Sequence, residues 1–296
     1  MKIEAYKDII PDFEEFRRIM ATPQPYWMRV NTLKISEKDL IARLENKGFR
    51  FERYRDWNAY MIVESPVKHP GATFEHSLGY YYIQDFASMI PPIVLKPRKG
   101  ERILDMAAAP GSKTTQIAAM VDDSATIVAN DIRDDRIRAL AGNVERVGAT
   151  SVIITRGDAR AKRFGMTFDR ILLDAPCTGE GVVRKTPRKR EPDLREHIKF
   201  SKMQMRMVEN AYRHLKDGGV MVYSTCTYNP LENEHVVQYA VDEVGFVPLQ
   251  IDIDIPYERG VREWRERSFE GIWDKVIRVY PHRINTGGMF IALLKK

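Results

Sequence analysis

Two cysteines occur in 296 residues, and each directly follows an apolar run that reads as a β-strand. Cys177 closes Asp174-Ala175-Pro176-Cys177 behind FDRILL, and Cys226 lies in Ser224-Thr225-Cys226-Thr227 behind GGVMVY. Two thiols are too few for a disulfide framework and far from any four-ligand zinc pattern, so no metal is expected and thiol chemistry is. A thiolate can add to C6 of a pyrimidine, which turns C5 into an enamine carbon able to attack an electrophilic methyl group. Methylating an amine needs only an Asp/Asn-Pro-Pro-aromatic turn, because nitrogen brings its own lone pair; here the third and fourth positions are Pro176 and Cys177. A free cysteine, with a pKa of about 8.5, is only slightly ionised at neutral pH, so the site must supply positive charge or a helix N-terminus. Lys113 is the candidate for that charge. Either cysteine alone reads equally as a small buried apolar residue. The two strand ends together, with Asp174 just before the first thiol, favour carbon methylation.

In open α/β sheets ligands sit at the carboxyl ends of the strands, so the donor of the methyl group is sought there. The strand ERILDM contains Asp105 at its end and runs into Ala107-Ala108-Ala109-Pro110-Gly111-Ser112-Lys113. Small residues and a Pro/Gly turn let the backbone approach a ligand closely before the next helix begins. Asp131 ends the next strand, placed to accept hydrogen bonds from a ribose diol; Gly157 and Asp158 end the third, placed for an adenine amine; Asp174 ends the fourth. Carboxylates repel phosphate, and the loop has neither the Walker spacing nor a full GxGxxG. A nucleoside carrying a cation fits better, and S-adenosylmethionine, leaving as S-adenosylhomocysteine, is the candidate cofactor. Any one strand-end Asp or Gly could instead serve as a cap or turn. Four together point to a ligand.

These strands belong to a repeated strand–helix alternation over residues 84–296, from the helix QDFASMIPPIVL through ENEHVVQYAVDEV. The pattern predicts a Rossmann-like, mostly parallel α/β sheet covered on both faces. KVIRVYPH and GGMFIALLK then read as an antiparallel pair at the sheet edge. Residues 1–83 read as a smaller α/β unit: a helix over 11–20 capped by Asp12, a strand over 26–35, a helix over 37–48, and strands in FRFERY and YMIVE. It resembles RNA-binding sandwich folds in outline but lacks their aromatic signature, leaving RNA contact or simple packing as its role. Lys plus Arg number 47 against 41 Asp plus Glu, a balance of +6 that favours a polyanionic partner. An apolar share of 44% excludes disorder as the main state. No apolar run reaches the roughly 18 residues of a membrane span, and the acidic start lacks a signal peptide's apolar stretch. A soluble, cytoplasmic, monomeric protein without membrane contact is expected.

The segments IQDFASM (83–89), DMAAAPGSKTTQIA (105–118), LLDAPCTGEGVVRK (172–185), YSTCTYNPLENE (223–234) and HRINTGGMFIALLKK (282–296) resemble the Nop/Sun (Fmu-type) family of S-adenosylmethionine-dependent RNA cytosine-5 methyltransferases. DAPC combined with STCT and ENE carries most of that specificity. The resemblance implies a class I methyltransferase fold and an RNA substrate, tRNA favoured because the chain is compact, ribosomal RNA as the alternative. A non-catalytic RNA-binding protein on the same fold is the rival from another class. The resemblance further implies that Cys226 attacks C6, that Cys177 assists release of the product, and that Asp174 holds the cytosine beside the methyl donor. Residues 107–113, Asp131, Asp158 and Asp174 match the family's cofactor contacts, with Arg136 as an addition. Ala107 stands where many members have Cys, and Ser112 where Gly is usual. The basic run Arg184 to Arg190 suits phosphates flanking a flipped-out base, with a solvated loop as the alternative. Tyr80, Tyr81 and Tyr82 read as RNA-stacking or core residues.

Overall fold

The computed structural model describes residues 3–186 and 190–296. Helix α1 (Phe13–Met20) opens the chain, then β1 (Trp27–Val30), α2 (Glu37–Glu45), β2 (Arg50–Tyr54), β3 (Ala59–Glu64), α3 (Phe74–Ser77) and β4 (Tyr81–Ile83) follow. The strands pair antiparallel in the order β2-β3-β1-β4. The fourth strand is made by the tyrosine run. Tyr81 and Tyr82 are buried, which makes them packing residues; Tyr82 sits between the guanidiniums of Arg29 and Arg146 at 5.8 and 5.3 Å. Asp12 does not cap α1. Its backbone is left-handed (φ 50°), its side chain makes no capping bond, and its carboxylate pairs with Arg283 at 2.9 Å.

The larger sheet contains α4 (Phe86–Leu95), β5 (Arg102–Asp105), α5 (Ser112–Met120), β6 (Thr126–Asp131), α6 (Asp134–Val147), β7 (Val152–Arg156), β8 (Phe168–Asp174), α7 (Leu194–His214), β9 (Leu215–Thr225) and α8 (Glu234–Tyr239). After them come β10 (Val247–Leu249), β11 (Glu258–Arg259), the ribbon β12 (Glu263–Trp264) with β13 (Arg267–Ser268), β14 (Ile277–Val279) and β15 (Met289–Lys295). The sheet runs β11-β14-β15-β9-β8-β5-β6-β7. Strands β5 to β9 are parallel, and β15 is antiparallel to both β9 and β14. The anticipated antiparallel pair is therefore present but not outermost: β11 extends the sheet beyond β14, and β10 pairs β15. Strand order reverses between β5 and β8, so their carboxyl ends open a crevice.

The two sheets meet in a shared apolar cluster that includes Trp27, Ala59 and Tyr82 from the smaller one. Phe86 is fully buried among Trp27, Tyr54 and Trp57, the last stacked on it at 5.4 Å. Helix α4 carries Pro91 and Pro92, and the Ser88 carbonyl that would bond to the missing Pro92 N–H accepts from Gln84 Nε2 at 3.2 Å. Gln84 also accepts from Arg29 and donates to Gln116, tying β1 to α5 at the rim of the crevice.

Candidate active site

The apolar residues of β5 and β8 are buried up to the strand ends, which brings Asp105 and, two residues beyond its register partner Leu172, Asp174 to the switch point. Between β5 and α5 the chain crosses the crevice as Met106–Gly111, held by Met106 N–H to Leu172 O (3.0 Å) and Ala108 N–H to Asn130 O (2.8 Å). Gly111 takes φ 101° to turn into α5, where a Cβ would meet Leu140 at 2.9 Å, so glycine is required. The resulting cavity measures about 350 Å³ and is lined by residues 107–110, Ser112, Lys113, Asp105, Asp174 and Cys226. A second cavity of about 160 Å³ shares Ala107 and Arg136 with it and reaches Asp131, Asp158 and Pro176.

Asp105 is buried, and one carboxylate oxygen accepts from Thr114 Oγ1 at 2.7 Å while the other has no partner among the described residues. Burial pushes its pKa up to about 7. Asp105 lines the cavity, a buried carboxylate with one orphaned oxygen favours a cation beside it, and small-residue walls leave room for one. That donor set fits the ammonium, sulfonium and ribose of S-adenosylmethionine. Asp131 accepts from the backbone N–H groups of Ala109, Ile132 and Arg133 at 2.9–3.3 Å and lies 3.7 Å from Arg136. Arg136 in turn donates to the Ala109 carbonyl. Asp158 departs from the expectation of an open acceptor for an adenine amine: Arg160 grips both its oxygens at 2.5–3.0 Å and holds its pKa down.

Asp174 accepts from Ser224 Oγ at 2.8 Å and from Lys113 Nζ at 2.6 Å, and Lys113 also donates to Ser88. Burial alone would lower the Lys113 pKa, but Asp174, Asp105 and Cys226 outweigh it, and the net shift is upward. Lys113 is thus a cation near Cys226 whose direct partner is Asp174. The two thiols lie 3.2 Å apart, far beyond a disulfide bond and within hydrogen-bond reach for sulfur. Cys226 lines the cavity, Cys177 adjoins it through Cys226, and both residues are partly exposed. The hydrogen bond to Cys226 and then burial push the Cys177 thiol well up.

Behind the thiols three segments are stitched together. Glu232, after the Cys226 loop, accepts from Thr178 N–H (3.1 Å), Thr178 Oγ1 (2.6 Å) and Gln204 Nε2 (3.1 Å), and pairs with His197 Nδ1 at 2.7 Å. Gln204 also donates to Pro176 O at 3.0 Å. Glu180 accepts from Thr227 Oγ1 at 2.7 Å and from Tyr6 OH at 2.9 Å. Gly181 N–H donates to Cys226 O and Gly288 N–H to Gly181 O, at 2.8 and 2.9 Å. A Cβ at Gly181 would stand 2.6 Å from Gly288 O, and one at Gly288 would strike Tyr228 at 2.4 Å.

The expected residues 107–113, Asp131, Arg136, Asp158, Asp174 and Cys226 all line these adjoining cavities, apart from Gly111, which makes the turn. Asp105 is one of the four strand-end aspartates that point to a ligand in the sequence, but it alone of the four has no assigned contact there. Sequence reasoning passed over Ser88, Glu232 and His197; the signals were a Glu beside a catalytic motif and a lone His in an amphipathic helix. The basic run behaves differently from its expectation. Arg184 is consumed by hydrogen bonds to Thr22, Pro23, Asn285 and Thr286, and Arg190 pairs with Glu196. Lys185 lines the larger cavity, while Arg188 and Lys189 lie outside the described residues.

An open parallel sheet with acidic strand ends around a glycine-turned loop at its switch point defines a class I methyltransferase. The chain belongs to the RsmB/F methyltransferase family: residues 92–295 match the family described as 16S rRNA methyltransferase RsmB/F, and residues 3–69 match the RsmF/B-like ferredoxin-like domain. It is 38% identical to the tRNA (cytosine(49)-C(5))-methyltransferase of Pyrococcus abyssi, over 99% of this chain and 95% of that protein. It is 37% identical to the human 28S rRNA (cytosine(4447)-C(5))-methyltransferase over 98% of this chain, but spans only 37% of that longer protein. The crystal structure of NSun6 from Pyrococcus horikoshii with SFG superposes with a TM-score of 0.87 at 27% identity, covering 99% of this chain and 97% of that one.

Proposed function

We propose that this protein transfers a methyl group from S-adenosylmethionine to C5 of a cytosine in RNA, most favourably tRNA. The observation that carries the proposal is the pair of thiols 3.2 Å apart, one of them lining the cavity, beside the Lys113–Asp174 pair. Near-full-length likeness to an archaeal protein named as a tRNA enzyme supports tRNA; the family description and the human relative support ribosomal RNA as the second reading. Residues 107–113, Asp131, Arg136, Asp158 and Asp174 would hold the cofactor, with Asp105 added for its ammonium. When bound, S-adenosylmethionine supplies an electrophilic methyl carbon. The Cys226 thiolate bonds to C6 and shifts the ring π electrons onto C5. Asp174, oriented by Ser224 and Lys113, accepts from the cytosine amine. In the resting site Cys177 keeps its proton and donates a hydrogen bond to Cys226; after methylation Cys177, its own proton passed to solvent, takes the C5 proton as a thiolate, the C5–C6 double bond re-forms and the C6–S bond breaks to release the Cys226 thiolate. We place the catalytic unit at 84–296 and the smaller unit at 1–83, acting together as a cytoplasmic monomer. Among the described residues no helix is long and apolar enough to cross a membrane.

Covalent trapping tests the reading. Cys177→Ala, incubated with labelled cofactor and total RNA, should accumulate a denaturant-resistant protein–RNA adduct, while Cys226→Ala should form none and lose methyl transfer by at least about a thousandfold. Adduct in Cys226→Ala but not in Cys177→Ala would exchange the roles. No methyl transfer by the unaltered protein to any RNA would reject the enzymatic reading in favour of a binding protein.

A further inference from the structure

The conspicuous basic run beside the active-site loop has largely spent its described cations on structure, yet a second set of cations is left free on α7. Arg195, Lys199, Lys202 and Arg206 recur at i, i+4, i+7 and i+11, which places them on one helix face, and all four are exposed. None of them makes an ion pair or a side-chain hydrogen bond with a described residue. The acidic residues of the same helix are engaged elsewhere: Glu196 with Arg190 and the Asp193 N–H, Glu209 with Tyr239 OH at 2.5 Å and Arg213 at 4.0 Å. The row extends about 16 Å along the helix, at a rise of about 1.5 Å per residue. Four like charges at this spacing repel one another, so the isolated protein gains nothing from the arrangement.

Position adds a second observation. Lys199, Lys202 and Arg206 line a groove of about 230 Å³ together with Arg160 and Met203, and those last two also line the cavity that reaches Asp131 and Asp158. The opposite face of α7 carries His197 and Gln204, which grip the loops holding both thiols. The cationic row therefore starts beside the catalytic loops and continues along the rim of the cofactor crevice.

We propose that this face of α7 is a track for the phosphodiester backbone of the RNA, engaging consecutive phosphates away from the target base; this rests on the RNA-methylating reading above. Regular spacing of charge without partners fits backbone contact that positions rather than specifies, and Phe200, which lines the same groove between Lys199 and Lys202, is a single ring against four cations. The cations should accordingly set affinity and salt dependence and leave the chemical step untouched.

The test compares the full chain with a variant carrying Arg195→Gln, Lys199→Gln, Lys202→Gln and Arg206→Gln, and with a control of equal net charge carrying Lys7→Gln, Lys38→Gln, Lys68→Gln and Arg138→Gln. The probe is unfractionated tRNA, bound and methylated across a salt series. The expected result is a loss of affinity of about tenfold or more for the α7 variant, with the slope of log affinity against log salt reduced by about 3, each phosphate contact contributing about 0.7. KM should rise while kcat at saturating RNA stays unchanged. Equal behaviour of the α7 variant and the control, or of the α7 variant and the unaltered chain, would overturn the track. So would a defect confined to vesicles of phosphatidylcholine and phosphatidylglycerol, which would assign the face to a membrane surface. Selective loss of RNA affinity in a protein that transfers no methyl group would uphold the track and reject the enzymatic reading, so the two fail separately.

Discussion

The two ends of the crevice are built on opposite principles. At the cofactor end the wall is backbone and small side chains, and the buried Asp105 keeps one oxygen without a partner. At the thiol end the carboxylate of Glu232 is satisfied by donors from Thr178, His197 and Gln204 before any ligand arrives. The difference teaches where each part of the free energy resides. An unsatisfied buried carboxylate is a cost to the empty protein that a bound cation relieves, so part of ligand affinity is stored there as poor solvation. A fully bonded carboxylate contributes nothing to a ligand directly; it holds two loops at a fixed separation.

Breaking the thiol end should have the larger effect. Glu232→Gln leaves both cysteines in place but weakens the hold on Thr178, His197 and Gln204, whose hydrogen bonds to a charged group are worth about 1.5–3 kcal/mol each. Turnover should fall by about a hundredfold or more, and trapped adduct should rise as it does in Cys177→Ala, because release suffers more than attack. Equal loss of adduct formation and turnover would reduce Glu232 to a general stabiliser. The cofactor end gives a smaller effect of a different kind. Asp105→Asn should weaken cofactor binding about 10- to 100-fold while keeping the Thr114 contact. The folded Asp105 carboxyl holds its proton up to about pH 7, against an ordinary 3.8, so below pH 7 the folded state binds the additional proton. Stability of the cofactor-free protein should therefore decline as pH rises from about 4 to about 7, and Asp105→Asn should flatten that decline in a thermal-melt series. An identical slope in the two proteins would show that Asp105 is not the group responsible. Smallest is Arg184→Lys, which keeps the charge but loses the guanidinium fork; about 1–2 kcal/mol of stability should go, with RNA affinity unchanged at any salt. A fall in the salt slope would return Arg184 to the phosphate-contacting role.

Much of the cofactor end was legible in the sequence because a strand end is a local event: an apolar run stops, and the next polar residue faces the crevice. Asp131 and Asp174 are found by that rule, and so is the loop between β5 and α5. The thiol end is legible only in its two cysteines. Glu232, His197 and Tyr6 act through partners 28 or more residues away, and no local pattern marks such pairs. Charge runs mislead for the same reason. Arg184 and Arg190 look free beside one another in sequence, but their partners arrive from residues 22–23, 285–286 and 196. The short strands β4, β10 and β11 escape notice because two or three residues give no periodicity to read.

The stitching behind the thiols also orders the assembly of the protein in time. Tyr6 reaches Glu180 across 174 positions, and Gly181 bonds in turn to Cys226 and Gly288. Closing such long loops is entropically slow, and each contact gains only after the others have formed. A chain still emerging from synthesis therefore carries two ordinary, separated cysteines. The contact of 3.2 Å between them belongs to the same folded framework that joins the first and last segments of the described chain.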